Sequence, residues 1–240
     1  MTDIVAALSA ADGVTCLVGA GGKKTTLYAL AGLLDQPIVT ATVRIPIFDR
    51  EVASVRVTDD PVAELDAAPP YPLGLVAGHD RSDRYRGYGP EIVDAVADAH
   101  DGPVLVKADG ARTREFKAPN NREPQLPAST ATVVPVVSAH AVGKPLDETH
   151  VHRPERVAAL ADIDIGDEIT PETVGSVVAD EAGGLKDIPD GARAIPLINK
   201  VDDAADERTA RAIADAIADR ADVEAIVLAR MATPEVVDVV

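Results

Sequence analysis

Apolar residues fall into two repeating patterns along this chain. Short β-branched runs with no polar interruption alternate with Ala-rich stretches whose apolar positions recur every three or four residues. A run that is apolar at every position suits a strand buried on both faces. Its alternation with amphipathic helices is the pattern of a parallel sheet built through crossover connections. The first strand is predicted at Val14 to Val18, followed by a helix at Thr25 to Leu34. Further strands are predicted at Pro37 to Ala41, Leu73 to Ala77, Val104 to Val106, Thr132 to Val137, Ala194 to Ile198 and Ala225 to Leu228. Between them, Pro90 to Ala99 sets Ile92, Val93 and Val96 on one helical face, and Ala204 to Arg220 does the same with Ile213 and Ile217. Thr170 before Pro171 reads as an N-cap with proline at the first helical position, and Gly183-Gly184 as the end of that helix. Gly78 to Gly89, with its Arg, Asp and Tyr, reads as a mobile surface loop. The expected fold class is α/β: one three-layer α/β/α, P-loop NTPase-like nucleotide-binding domain over residues 1–240, with a mostly parallel sheet.

Composition narrows the partners. The chain carries 40 Asp and Glu against 23 Lys and Arg, a formal net charge of −17. That balance argues against nucleic acid or an anionic membrane, since both demand clustered cations. The acid is spread along the chain, as in an acidic, halophilic-type surface whose self-repulsion is quenched at high salt. The opening MTDIVAAL has no basic leader, and no apolar run approaches the ~20 residues of a membrane span, so a soluble, cytoplasmic protein is expected. The lone Cys16 excludes an internal disulfide and a multi-cysteine zinc site, and reads as strand core.

The first chemical signal is GAGGKKTTL at Gly19 to Leu27. It follows a buried strand and opens a helix, the setting in which backbone amides and a helix N-terminus hold phosphates. The pattern GxxxxGK[ST] is not matched, because aligning Lys24-Thr25 with its final pair puts Lys23 where glycine belongs. The GGxGKTT variant fits better. In it Gly19, Gly21 and Gly22 with Lys23 form the loop, Lys24 bridges the β and γ phosphates, Thr25 binds magnesium and Thr26 contacts the α phosphate. Adjacent lysines at a helix start oppose its dipole unless an anion is present.

Two more strand ends carry candidates. VLVKADGAR delivers Asp109 at a carboxyl end, where it resembles a Walker B aspartate holding Mg²⁺ opposite Thr25; a plain Asp-Gly turn is the alternative. Lys24 and Asp109 are therefore the catalytic candidates. PLINKVD ends a strand in Asn199-Lys200-Val201-Asp202, which fits NKxD. There Asp202 would accept from the guanine N1 and N2 hydrogens, Asn199 would reach the base edge, and the Lys200 stem would cover the ring. An ordinary strand-to-helix loop is the alternative. The expected ligand is Mg²⁺ with GTP, ATP remaining open.

Longer stretches carry a resemblance. GAGGKKTTL, KADGARTREFKAPNNREPQLP, VVPVVSAHAVGKPLDETHVHRPERVAAL, GDEITPETV and PLINKVD together span Cys16 to Asp202. On these the chain resembles the YqeC family, accessory factors for selenium-dependent molybdenum hydroxylases, also called selenium cofactor biosynthesis proteins. The resemblance implies a P-loop domain working on a selenium or molybdopterin cofactor, beside a molybdenum hydroxylase or its maturation factors. Family members usually carry glutamate before Ala-Asp-Gly, where this chain has Lys107. The matching Arg112, Lys117, Lys144, His152 and Arg153, with Glu123, are candidates for a second, anionic-substrate site; structural salt bridging is the alternative. Thr40-Ala41-Thr42 is a candidate switch segment.

The reading these features support is a Mg-nucleotide-binding accessory NTPase. Its hydrolysis of GTP or ATP is expected to be slow, because neither a catalytic arginine nor a water-orienting glutamine can be named. The alternatives are a kinase or nucleotidyltransferase acting on the cofactor, and a nucleotide-stabilised scaffold without turnover. The acidic surface makes a prediction of its own. Folding followed by circular dichroism should strengthen between dilute and molar potassium chloride, and indifference to salt would count against the halophilic reading.

Overall fold

The apolar runs pair as their pattern requires. In the computed structural model, which describes residues 3–240, the first half of the chain is α1 (Ile4–Ala7), β1 (Val14–Gly19), α2 (Lys23–Ala31), β2 (Ile38–Ala41), β3 (Ile45–Pro46), β4 (Ser54–Val57), β5 (Leu73–Val76), β6 (Gly78–Arg81), β7 (Arg84–Arg86), α3 (Pro90–Asp98) and β8 (Val104–Lys107). The second half is β9 (Phe116–Lys117), β10 (Thr130–Ser138), β11 (Val151–His152), α4 (Pro154–Ala161), α5 (Pro171–Val178), β12 (Arg193–Ala194), β13 (Leu197–Asn199), α6 (Ala204–Ala218), β14 (Val227–Arg230) and β15 (Glu235–Val239). The central sheet runs β15-β14-β13-β10-β1-β8-β2-β5-β4, with β12 beside β10. Its neighbours are parallel except for the antiparallel β14–β15 pair.

Alternate residues of the inner strands face opposite helical layers. Leu17, Leu105 and Val134 pack with Leu27 and Leu30 of α2. Cys16, Val18, Val106 and Val133 pack with Val93 and Val96 of α3 on the other face. That second face continues under α5 and α6, where Val174, Val177, Ile213 and Ile217 cover Ile198 and Leu228. The arrangement is the expected α/β/α, mostly parallel architecture. Strand β1 is flanked by β8 on one side and β10 on the other, so the winding reverses across it. Open α/β sheets place a ligand crevice at the carboxyl ends of strands at such a point.

Departures from expectation have local causes. The strand expected at Ala194 to Ile198 divides into β12 and β13 around Pro196, which has no N–H to give to a ladder. Strands β4 and β15 lie at the sheet's edges with half-exposed, mixed positions, and so lack the apolar run that marks the inner strands. Thr170 caps α5 as expected, accepting from the Thr173 amide at 3.2 Å. That helix ends at Val178, before the glycine pair, and the Gly184 amide returns to the Val177 carbonyl at 2.8 Å.

The segment expected to be a mobile loop is instead an ordered hairpin. β6 and β7 pair antiparallel, and β7 pairs with β3. The Tyr85 ring anchors it, edge-on to Phe48 at 5.7 Å, with its hydroxyl donating to Asp49 at 2.7 Å. Among the described residues no helix is long and apolar enough to cross a membrane.

Helices α5 and α6 approach closely at Gly175, where an added Cβ would lie 2.5 Å from the Ala216 methyl and 2.8 Å from its carbonyl carbon. Gly→Ala within a helix ordinarily gains up to about 1 kcal/mol of propensity. Here overpacking outweighs it, and Gly175→Ala should lose about 1–3 kcal/mol in urea denaturation. A gain in stability would show that the two helices do not meet at this point.

Candidate anion-binding site

Three residues, Ala20 to Gly22, join β1 to α2. Gly21 and Gly22 take φ of +80° and +136°, which side-chain-bearing residues rarely adopt, and a Cβ on Gly22 would strike the Asn199 amide. The loop is anchored by Ala20 N–H to the Val136 carbonyl at 2.8 Å and Gly21 N–H to the Arg114 carbonyl at 3.0 Å. The next four amides, those of Gly22, Lys23, Lys24 and Thr25, meet no acceptor among the described residues. They form the open N-terminus of α2, a natural partner for an anion.

The helix begins at Lys23 with Gly22 as its N-cap, two residues earlier than expected. The glycine–lysine pair is therefore Gly22-Lys23, and Lys24 stands where the GK[ST] pattern carries its hydroxyl. Thr25 is exposed, one position further round the helix. Thr26 is buried, and its hydroxyl donates to the Gly22 carbonyl at 3.2 Å.

Lys23 turns back under the loop. Its ammonium donates to the Gly19 carbonyl and lies 2.9 Å from Asp109 Oδ1. The other carboxylate oxygen, Oδ2, accepts from Gly19 N–H at 2.8 Å and from Lys117 Nζ at 2.7 Å. Lys117 also donates to Gly110 O at 2.7 Å and Glu123 Oε2 at 3.0 Å, and Arg153 reaches the same Glu123 oxygen at 2.8 Å. Burial pushes the Asp109 carboxyl up, but Lys23 and Lys117 outweigh it and hold it at about 2. Lys107 completes the group, donating to Arg44 O at 2.9 Å and Asp109 O at 2.7 Å. Burial, then the neighbouring Lys23, pull its ammonium down to about 7. Four basic groups thus share two carboxylates, leaving a surplus of positive charge.

That surplus borders a crevice of about 1170 Å³ at the mouth of the loop. Lys23 and Lys24 enter from α2, Arg81 and Arg84 from the β6–β7 hairpin, and Arg44 from beside β3. Lys107, Arg112, Arg114, Arg122, Arg153 and Lys200 complete the lining, Lys107 beside Arg44. These are 11 of the chain's 23 Lys and Arg, against two lining carboxylates, Glu115 and Glu123, in a protein with 40. Charge is therefore segregated, with cations gathered at the strands' carboxyl ends. His152 registers the resulting potential: partial burial and the cations Arg153, Lys117 and Arg112 push its imidazole down to about 4.

The structure brings most of the expected residues together, with four differences. Asp109 is buried behind the crevice wall and bound to two ammonium groups. Magnesium needs oxygen ligands at about 2.0–2.1 Å. Thr25 lines the crevice, but Asp109 lies behind the wall with its carboxylate paired to two ammonium groups, so the two do not form a donor set that fits the metal. Asn199 is a buried strut: its Nδ2 donates to Gly21 O at 2.9 Å, and its Oδ1 accepts from Met231 N–H at 3.0 Å. Lys200 lines the crevice, held by Glu115 at 2.7 Å, whereas Asp202 lies outside it beside Arg230 and His140. Lys144 is exposed and does not line the crevice, whereas Arg114 and Arg122 do. Thr42 of the candidate switch lines the crevice, its hydroxyl donating to Gln125 O at 2.6 Å.

Sequence reasoning missed Arg44, Arg81, Arg84, Arg114 and Arg122. The available signal was positional: in a chain this acidic, Arg81, Arg84 and the Arg112–Arg114 pair flank the very segments that motif reading singled out.

Fold and site together define a three-layer α/β protein with a cation-lined crevice at the head of a parallel sheet. The family model described as YqeC protein matches residues 15–155, more than half of the chain, and the chain belongs to that family. A relative, an uncharacterized protein YqeC from Escherichia coli (strain K12), is 28% identical over 196 residues, covering 78% of this chain and 75% of the relative. No solved structure matches the chain. The matched stretch holds every member of the buried ion network, and the Asn199–Asp202 turn lies beyond it.

Removing the central carboxylate tests the network. Asp109→Asn leaves Lys23 buried without a counter-charge and Lys117 with Glu123 alone, and should destabilise the protein by about 3–5 kcal/mol in urea. A carboxyl at about 2 in the fold and 3.8 when unfolded stabilises above pH 3.8, and that contribution is lost as the pH falls through 2. The wild-type protein should therefore shed about 2 kcal/mol across that window that the variant does not shed. Parallel acid profiles would refute the pairing.

Proposed function

We propose that this protein is a nucleotide-binding accessory factor in the maturation of a selenium-dependent molybdenum hydroxylase, holding the phosphates of a guanine nucleotide in the cation-lined crevice. One observation carries the reading: 11 cations converge with four open helix-end amides in a protein of net charge −17. Cations packed this closely repel one another. A tri- or diphosphate relieves that repulsion and satisfies the amides together. The guanine half draws support from the Asn199–Asp202 turn, which abuts the loop through Asn199 and sends Lys200 into the crevice. Asp202, exposed at the rim, is the acceptor for the base edge.

A second reading is supported by size. The crevice exceeds the roughly 300–1,000 Å³ of ordinary ligand sites. Arg112, Arg122 and Arg153 add cations from elements other than α2. Both features suit a second anionic ligand, such as a molybdopterin or selenium species, and a phosphoryl or nucleotidyl transfer between the two.

A thermal-shift screen of GTP, ATP and their diphosphates tests the assignment. GTP at a hundredfold excess over its Kd should raise Tm by roughly 5–10 °C, more than ATP does. Lys24→Ala should abolish the rise, and Asp202→Ala should remove the preference for guanine. No shift with any nucleotide would sink the reading. Phosphate release only in the presence of a pterin would favour the transfer reading.

A further inference from the structure

We propose that the crevice takes its polyphosphate as the free anion, with the Lys24 and Lys107 ammonium groups supplying the positive charge that a divalent cation supplies in other phosphate loops. The proposal deepens the phosphate-binding reading above and rests on it.

Three independent placements carry it. The first is register. With Gly22 as the N-cap and Lys23 as the first helical residue, the position that presents a magnesium-binding hydroxyl in the GK[ST] pattern is Lys24. Its side chain lines the crevice and pairs with no carboxylate among the described residues. Thr25, the next hydroxyl, lies about 100° further round the helix axis; it is exposed and lines the crevice, but would offer a metal a single hydroxyl with no unpaired carboxylate among the lining residues.

The second placement is the state of the carboxylates around the crevice: behind its lining, Asp80 pairs with Arg44 at 3.0 Å and Asp83 with Arg84 at 3.4 Å. Glu115 gives both oxygens to Lys200 at 2.7 Å. Glu123 accepts from Gly110 N–H, Lys117 and Arg153. Asp109 is clasped by Lys23 and Lys117 and does not line the crevice. Magnesium is a hard cation that selects oxygen ligands, and the lining offers it no carboxylate that is not already neutralised.

The third is Lys107 itself. Its ammonium sits on the Asp109 and Arg44 carbonyl oxygens, at the end of the strand next to β1. Held down to about 7 by burial and Lys23, it is partly neutral in the wall, and an anion beside it would draw it into the charged form where the sheet has no spare negative charge. Arg112, Arg114 and Arg122 also line the crevice without a salt bridge among the described residues. A magnesium–polyphosphate complex would carry two surplus positive charges into this setting. The uncomplexed anion suits it better.

Isothermal titration of the full chain with inorganic pyrophosphate and with GTP, in excess EDTA and again in millimolar magnesium chloride at fixed potassium chloride, decides the matter. Both ligands should bind in EDTA, with affinities that magnesium leaves unchanged or weakens. Binding that appears only with magnesium, or that magnesium tightens by about threefold or more, overturns the proposal, as does the absence of pyrophosphate binding in both buffers. Pyrophosphate binding without magnesium, while GTP binds no better than pyrophosphate, supports the proposal and removes the nucleotide reading instead. Lys24→Thr, at a half-exposed position where the fold should be kept, provides the second arm. It should weaken binding in EDTA by about tenfold and make the remaining affinity respond to magnesium. If its affinity in EDTA equals that of the wild-type protein, Lys24 does not play this part.

Discussion

The Asp109 carboxylate holds the site together. One oxygen takes the Gly19 amide at the end of the central strand and the Lys117 ammonium, and the other faces the Lys23 ammonium from the first turn of the helix. Strand, loop, helix and the following β9 segment are thus tied to a single buried anion. Burial of such a charge is tolerated only when it is paired and hydrogen-bonded: Oδ2 accepts two hydrogen bonds, and Oδ1 is held by the Lys23 charge alone. The arrangement explains why β1 ends at Gly19, why the loop is only three residues long, and why the lysine that a phosphate loop would extend toward its ligand is folded inward.

Around that anchor the protein separates its charges. The acid that dominates the composition lies elsewhere, and the crevice collects nearly half of the basic residues from several elements far apart in sequence. The hairpin contributes two of them because Tyr85 packs against Phe48 and holds it in place. His152, pushed down to about 4 in part by the cations near it, shows that their fields reach groups beyond the glycine loop.

Much of the fold was legible because its inner strands are apolar at every position, a pattern that only a doubly covered parallel sheet produces. Edge strands such as β4 and β15 lack that pattern and were missed. The glycine loop was legible as a motif, but its register was not. Whether the helix starts at Lys23 or Thr25 is set by Gly22 packing against Asn199, a contact between residues distant in sequence. For the same reason Asn199 read as a base-binding residue and stands as a strut. Arg114 lines the crevice and Lys144 does not, because side-chain direction on a turn is decided by tertiary packing, which short-range spacing does not encode.

The segregation of charge has a kinetic consequence. Far from the protein, an incoming polyanion meets the field of a strongly acidic body and is repelled; within a few Å of the crevice it meets the opposite sign. Dissolved salt acts unequally on these two zones, since screening over roughly 8–10 Å erases the outer field while the sheltered inner one is weakened far less. Raising ionic strength therefore lowers the barrier to approach more than it loosens capture. In most phosphate-binding proteins salt competes with the ligand at every distance. For an anion bound in this crevice as proposed, salt would over part of its range act as an escort.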